Sequence, residues 1–239
     1  MVRSSLADEL VECTERCRNM SAPLPKRLSA FAADVRRLDP EFADVVDRMV
    51  ARLLNSNAGS HAPAVGEVMP DFLLPDQSGR LYSLESFTRD KPIVIAFHRG
   101  HWCPYCRISA SALAEAYPEI QRSGGDLVVI TPEVQKFNAE LKTWSGAPFP
   151  VLSDMDNAYA TMLNLAFYVG DEKRKYMAVA GWDITPFNDS DAWTLPIPAT
   201  FVVGADRIVK ARYIDPDYRR RMDTNDIVSV LRRERFQHG

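Results

Sequence analysis

Cys103-Pro104-Tyr105-Cys106 is the stretch of this chain whose residue types and spacing can do chemistry. Two thiols two residues apart can share an oxidation cycle in which one sulfur, held as thiolate, attacks and the other closes a disulfide. Upstream, Ile93 to Phe97 is an unbroken apolar run that reads as a buried strand. A short polar loop follows, and apolar positions at Ala110, Leu113 and Ala114 read as a helix opened by the cysteines. A strand thus delivers the pair to a helix N-terminus, where unpartnered first-turn N–H groups and the macrodipole favour negative charge. Pro104 suits that turn, since its missing N–H removes nothing the helix would use.

Other uses of the pair fit less well. A zinc site needs two more ligands, and the region offers only His98 and His101, crowded on one loop, with no second C-x-x-C. A structural disulfide over two intervening residues closes too small a loop to constrain the unfolded chain. Redox chemistry is the reading that remains.

The rest of the chain sets the context. With 239 residues, 46% hydrophobic and 26% charged, it can bury a full core. Its net charge of −3 argues against nucleic acid or an anionic membrane as partner. The first residues lack the apolar run of a signal peptide, and no stretch approaches the roughly 18 apolar residues of a membrane span. The expectation is a cytoplasmic protein, where thiols are kept reduced and a C-x-x-C is catalytic rather than structural.

Periodicity predicts helices through residues 5–54. Leu6, Leu10, Cys13, Cys17 and Met20 form one apolar stripe, Leu28 to Leu38 a second, and Phe42 to Leu54 a third behind the Asp39-Pro40-Glu41 start signal. Helices this short coat another domain or pair with a second copy, so a homodimer through them is expected. Cys13 and Cys17 read as packing residues. Residues 55–63 are small and polar, a linker dividing a helical extension (1–62) from the main domain (63–239), with His61 in solvent.

From residue 65 short strands alternate with helices, and Phe201 to Val203 with Ile208 to Tyr213 predicts an antiparallel pair before a last helix from Asp223. The pattern is α/β, a sandwich with a mixed central sheet. The charged stretch 170–196 reads as an insertion or lid. Trp102 and Trp182 read as core, with the lining of a hydrophobic rim as the alternative, and Arg219, Arg220 and Arg221 as a solvated face.

Gly66 to Asp76, the turn at Gly79, the strand running into His98 to Cys106, and Leu195 to Val203 resemble the alkyl hydroperoxide reductase/thiol-specific antioxidant family. Within it they resemble the peroxiredoxin-like branch with an intact C-x-x-C. The likeness covers about 65–230 and includes Asp215 to Arg221. It implies a thioredoxin-like fold. Laying the family's P-x-x-x-(T/S)-x-x-C pattern on the chain places the peroxidatic cysteine at Cys106, with Cys103 at the threonine position and Arg99 at the proline position. The family's supporting arginine from a neighbouring strand is missing, and Arg99 is the candidate to replace it by stabilising thiolate and leaving-oxygen charge. His101 is a candidate proton carrier. Pro198 matches the proline that is cis beside the C-x-x-C in thioredoxin-like proteins.

The resemblance implies a thiol peroxidase acting on hydrogen peroxide or organic hydroperoxides, with no bound cofactor and with thioredoxin, glutaredoxin or glutathione as external reductant. The Cys-Pro-Tyr-Cys motif itself is glutaredoxin-like. A disulfide exchanger, with Cys103 attacking a substrate disulfide and Cys106 resolving, is the alternative, and a redox sensor without turnover is a third.

Overall fold

The computed structural model describes residues 5–237; residues 1–4 and 238–239, the outer ends of the two expected segments, lie outside the described residues. Three helices come first, α1 (Leu6–Arg18), α2 (Leu24–Leu38) and α3 (Pro40–Asn55). Two of them, α1 and α3, start on a side chain that accepts from their free N–H groups, while α2 follows Pro23 without a side-chain cap. Ser5 and Asp8 form a reciprocal capping box on α1, and the Asp39 carboxylate accepts from the Phe42 N–H at 2.9 Å, ahead of Pro40, on α3.

A β-hairpin, β1 (Leu73–Pro75) with β2 (Leu81–Ser83), leads through α4 (Leu84–Thr88) into β3 (Ile93–Phe97). Then follow α5 (Pro104–Arg122), β4 (Asp126–Thr131), α6 (Gln135–Ser145), β5 (Val151–Ser153), a single 3-10 turn and α7 (Ala158–Met162). The last part holds β6 (Ala166–Tyr168), α8 (Asp171–Val179), α9 (Thr185–Asn188), β7 (Thr194–Pro196), β8 (Ala199–Val203), β9 (Val209–Ile214) and α10 (Thr224–Gln237).

The central sheet has the order β5-β4-β3-β8-β9. β3, β4 and β5 are parallel, and β8 and β9 run antiparallel to their neighbours. Every residue of β3 is buried, as an apolar run covered on both faces requires. Strand alternation sorts its side chains: Ile93, Ile95 and Phe97 join one apolar cluster, Val94 and Ala96 the other. The mixed α/β sandwich expected from the sequence is the observed architecture.

The first of those clusters includes Leu28, Phe31, Val46, Met49 and Leu53, so α2 and α3 share a core with the central strand. Burial of each such side chain contributes roughly 1.5–3 kcal/mol, which holds helices too short to persist alone. α1 lies on α2 and α5, where Cys17 is fully buried. The stripes therefore coat the sheet domain, and Cys17 packs as expected, beside Asp34, with burial raising its pKa. His61 is exposed, as expected.

The segment 170–196 differs from expectation. Its charge suggested a lid, yet Lys173, Met177, Ile184, Trp193 and Leu195 are all buried. Part of it docks beside α3: Arg48 pairs with Glu172, Arg52 donates to the Tyr168 carbonyl just ahead of the segment at 2.7 Å, and the Tyr176 hydroxyl donates to Asp39 at 2.6 Å, while Asp171, Arg174, Lys175, Asp183, Asp189 and Asp191 stay exposed. The β6–β7 ribbon then ties the segment to β8. Charge placed against complementary charge on α3 makes this stretch part of the body of the protein.

Candidate active site

Cys103 is the N-cap of α5, with Pro104 at its first position, as the motif predicts. Both sulfurs are deep: Cys103 is 1% exposed and Cys106 0%. They are free thiols, and their surroundings differ. Cys103 borders a cavity of about 280 Å³. Cys106 lies behind it, accepting from the Arg99 backbone N–H at 3.3 Å, with Nη2 of Arg221 at 3.8 Å.

These surroundings separate the two thiols. Burial works against charge on Cys103, but a hydrogen bond from the Cys106 thiol and the positive charges of Arg99 and Arg221 outweigh it and hold Cys103 well below the usual thiol range. For Cys106 burial and the adjacent Cys103 act in the same direction, and its pKa lies well above that range. The two thiols are thus driven apart, with Cys103, which borders the cavity, the more readily ionised of the pair.

Arg99 is 2% exposed rather than solvated. Its guanidinium lies 3.7 Å from the Tyr218 ring centroid and 4.8 Å from that of Trp102, while Nε and Nη1 have no hydrogen-bond partner among the described residues. Such orphaned buried donors are costly unless something fills the role of acceptor.

Sequence reasoning missed Arg221. It is 6% exposed, its Nη1 donating to the carbonyls of Tyr218 and Arg220. The three arginines expected to form one solvated face have three environments. Arg219 forks onto Asp217 at 2.7 and 2.9 Å and reaches Asp47 of α3 at 2.7 Å, pinning the loop; Arg220 faces solvent; Arg221 turns inward to Cys106. A buried arginine beside the cysteines is thus contributed by this loop after β9. The available signal was Tyr218 immediately ahead of the arginine run, a buried-type aromatic amid charge.

His101 is 7% exposed and belongs to a buried pair with Glu133, whose carboxylate accepts from the His101 backbone N–H at 2.7 Å and lies 2.6 Å from Nδ1. The ring stacks on Phe137 and meets Phe187 edge-on. Arg107 donates from Nε to the His101 carbonyl. His101 does not border the cavity, so the structure gives it a loop-holding place rather than that of an exposed proton carrier. His98 is buried with Nε2 at 3.3 Å from Ser109 Oγ; burial and the Arg221 charge push its pKa down to about 3, so it stays neutral.

Gly100 is where this loop demands its residue. Its φ is +137°, and an added Cβ would sit 2.6 Å from the Glu133 carboxylate and 2.7 Å from Trp102 Nε1. Gly100→Ala is expected to destabilise the fold by about 3 kcal/mol, combining backbone strain with displacement of the His101–Glu133 pair. Thermal unfolding followed by circular dichroism checks this; an unchanged midpoint would show that the loop yields freely.

Pro198 is buried between β7 and β8. Ala96 pairs with Thr200, so the same register carried two residues further brings Pro198 opposite His98, where the cysteine loop leaves β3. Its peptide bond differs from expectation, for the described residues contain no cis bond. The proline stands one residue ahead of β8, where its missing N–H takes no place in the strand ladder. Trp102 and Trp182 are half-buried, pack against the core and also border the cavity. Lys173 is an unexpected neighbour: it is buried, Nζ is 4.5 Å from the Tyr218 ring, and burial followed by the Arg99 charge holds its pKa well below that of an ordinary lysine. Among the described residues no group of three or more His, Cys, Asp or Glu side chains is arranged to hold a metal.

Known proteins agree with this geometry. A peroxiredoxin Q from the chloroplast of Oryza sativa subsp. japonica is 32% identical over 92 residues, 38% of this chain and 42% of the relative. A thiol-disulfide oxidoreductase ResA of Geobacillus thermodenitrificans is 33% identical over 103 residues, 41% of this chain and 58% of that protein. The chain thus spans about half the length of these curated relatives. The crystal structure of peroxidoxin BcpB from Mycobacterium tuberculosis superposes with a TM-score of 0.56 at 20% identity, covering 72% of this chain and 97% of that one, which shows a shared thioredoxin-like fold. The AhpC/TSA family model matches residues 65–212, from the hairpin before β3 to the middle of β9. By that match, with a C-x-x-C at the head of the helix that follows the central strand, the chain belongs to the AhpC/TSA family.

Proposed function

We propose that this protein is a thiol-dependent peroxidase that cycles Cys103 and Cys106 between dithiol and disulfide. The observation that carries the reading is a low-pKa sulfur at the floor of a cavity, flanked by unpartnered, buried donors of Arg99. A disulfide exchanger needs a reachable sulfur; a peroxidase needs a sheltered thiolate and donors for two oxygen atoms.

The Cys103 thiolate attacks the terminal peroxide oxygen. The O–O bond breaks, the departing alkoxide or hydroxide takes up a proton, and Cys103 becomes a sulfenic acid. Cys106 then attacks that sulfur, its thiol proton leaving with the sulfenic oxygen as water, and a disulfide forms. Two electrons from an external dithiol of thioredoxin or glutaredoxin type, or from glutathione, restore the pair. The roles are the reverse of those the family pattern suggests, because Cys103 rather than Cys106 borders the cavity and carries the charge.

Stopped-flow mixing of reduced protein with hydrogen peroxide, read by tryptophan fluorescence, tests this. Oxidation on the order of 10³-fold faster than a free thiol is expected. Slow oxidation together with reduction of insulin disulfides would replace the peroxidase with the exchanger.

A further inference from the structure

Arg99 is buried without an acid. A guanidinium taken out of water ordinarily keeps a carboxylate beside it, yet among the described residues Arg99 makes no ion pair, and its leading electrostatic partners are Cys103, Tyr218 and Cys106. Two of its nitrogens have no hydrogen-bond partner. What touches the guanidinium is aromatic: the Tyr218 ring centroid lies at 3.7 Å and that of Trp102 at 4.8 Å. Tyr218, the nearer, is itself fixed. It is 3% exposed, meets Tyr105 edge-on at 5.3 Å, and sits in the loop that Arg219 pins to Asp217 and Asp47. Its carbonyl accepts from Nη1 of Arg221. One residue thus meets both of the buried cations that support Cys103, with its ring on one and its backbone on the other.

We infer that Tyr218 is a positioning residue of this site, whose ring holds the Arg99 guanidinium beside Cys103 in the place a carboxylate would otherwise take. The physical reason is charge. A carboxylate in contact with Arg99 would cancel its field at Cys103 and repel the thiolate, whereas an aromatic face attracts a cation through its quadrupole and carries no net charge. Arg99 is thereby held and still presents its full charge to the sulfur. Lys173 reaches the same ring, with Nζ 4.5 Å from its centroid and 3.5 Å from Met49 Sδ; burial and then the Arg99 charge keep that amine from competing as a second cation. Tyr218 lies beyond residues 65–212, so the family match leaves the position unassigned. Its effect on rate rests on the peroxidase reading, and its effect on Cys103 ionisation does not.

Two readouts test this: the pH at which the first thiol ionises, followed by the ultraviolet absorbance of the thiolate, and the rate of oxidation by hydrogen peroxide. The first ionisation belongs to Cys103, because burial raises the other three thiols. Tyr218→Leu should raise that pH by about one pH unit and slow oxidation about tenfold. Tyr218→Phe keeps the ring face and should stay within about twofold of the native rate. Phenylalanine analogues of increasing fluorination at position 218 keep the ring's shape while drawing charge from its face, and should raise the ionisation pH stepwise. In an Arg99→Met background Tyr218→Leu should add less than about twofold, its target being gone, with circular dichroism confirming that each variant folds. The inference is overturned by an ionisation unmoved in Tyr218→Leu, by Tyr218→Phe as impaired as Tyr218→Leu, or by an undiminished effect in the Arg99→Met background. Where Tyr218→Leu does not fold, indifference to fluorination overturns it equally. Slow oxidation of the native protein alongside the expected ionisation changes would instead overturn the peroxidase reading and leave the role of Tyr218 standing.

Discussion

Cys103→Ser is expected to abolish fast oxidation by peroxide, whereas Cys106→Ser should react once and stop with a sulfenic acid on Cys103. The asymmetry follows from the site: a serine hydroxyl at the cavity floor cannot be held as an anion at neutral pH, while serine at position 106 leaves the attacking sulfur in place but removes the resolving one. The Cys106→Ser rate should fall several-fold rather than vanish, because the thiol hydrogen bond that helps lower the Cys103 pKa is replaced by one from a hydroxyl. Dimedone labelling read by mass spectrometry distinguishes the species. Fast oxidation surviving in Cys103→Ser and lost in Cys106→Ser would return the attacking role to Cys106, as the family pattern places it.

Arg221→Met should slow peroxide oxidation at pH 7 by about 100-fold. Arg221 is one of two buried cations that hold Cys103 low, and its guanidinium also lies 3.8 Å from the Cys106 sulfur. The sign of the pH effect can be worked out directly. Rate follows the thiolate fraction, so the native enzyme, with its Cys103 pKa depressed, should hold its rate to lower pH than an ordinary thiol and lose it on acidification. Removing Arg221 raises that pKa, so the variant should gain rate as pH rises from 7 toward the ordinary thiol range. Arg221→Lys keeps the charge without the planar fork and should recover part of the loss. A pH profile unchanged in Arg221→Met would show that Arg99 alone supplies the charge.

The core of the domain was legible because its signals are local. Ile93 to Phe97 is apolar at every position and is the fully buried central strand. Cys103 and Pro104 head the helix that follows, and Asp39 and Asp223 sit at the helix starts where capping chemistry puts them. How far the stretch 170–196 docks was not legible because its contacts are distant: Arg48 of α3 pairs with Glu172, 124 positions away, and nothing in a local window reveals such pairing. The same blindness hid Arg221. Within Arg219-Arg220-Arg221 the three side chains are chemically alike, and only the loop pinned by Asp217 and Asp47 decides which one turns inward.

The sequence by itself determined that two thiols stand at the head of a helix on an α/β scaffold, because strand periodicity, helix start signals and cysteine spacing are properties of neighbouring residues. Tertiary structure alone decided which sulfur bears the charge, which arginines support it and what encloses it. Those properties depend on burial and on charges a few ångströms away in space, contributed by Arg99, Arg221 and the helices α1–α3, which no spacing along the chain encodes.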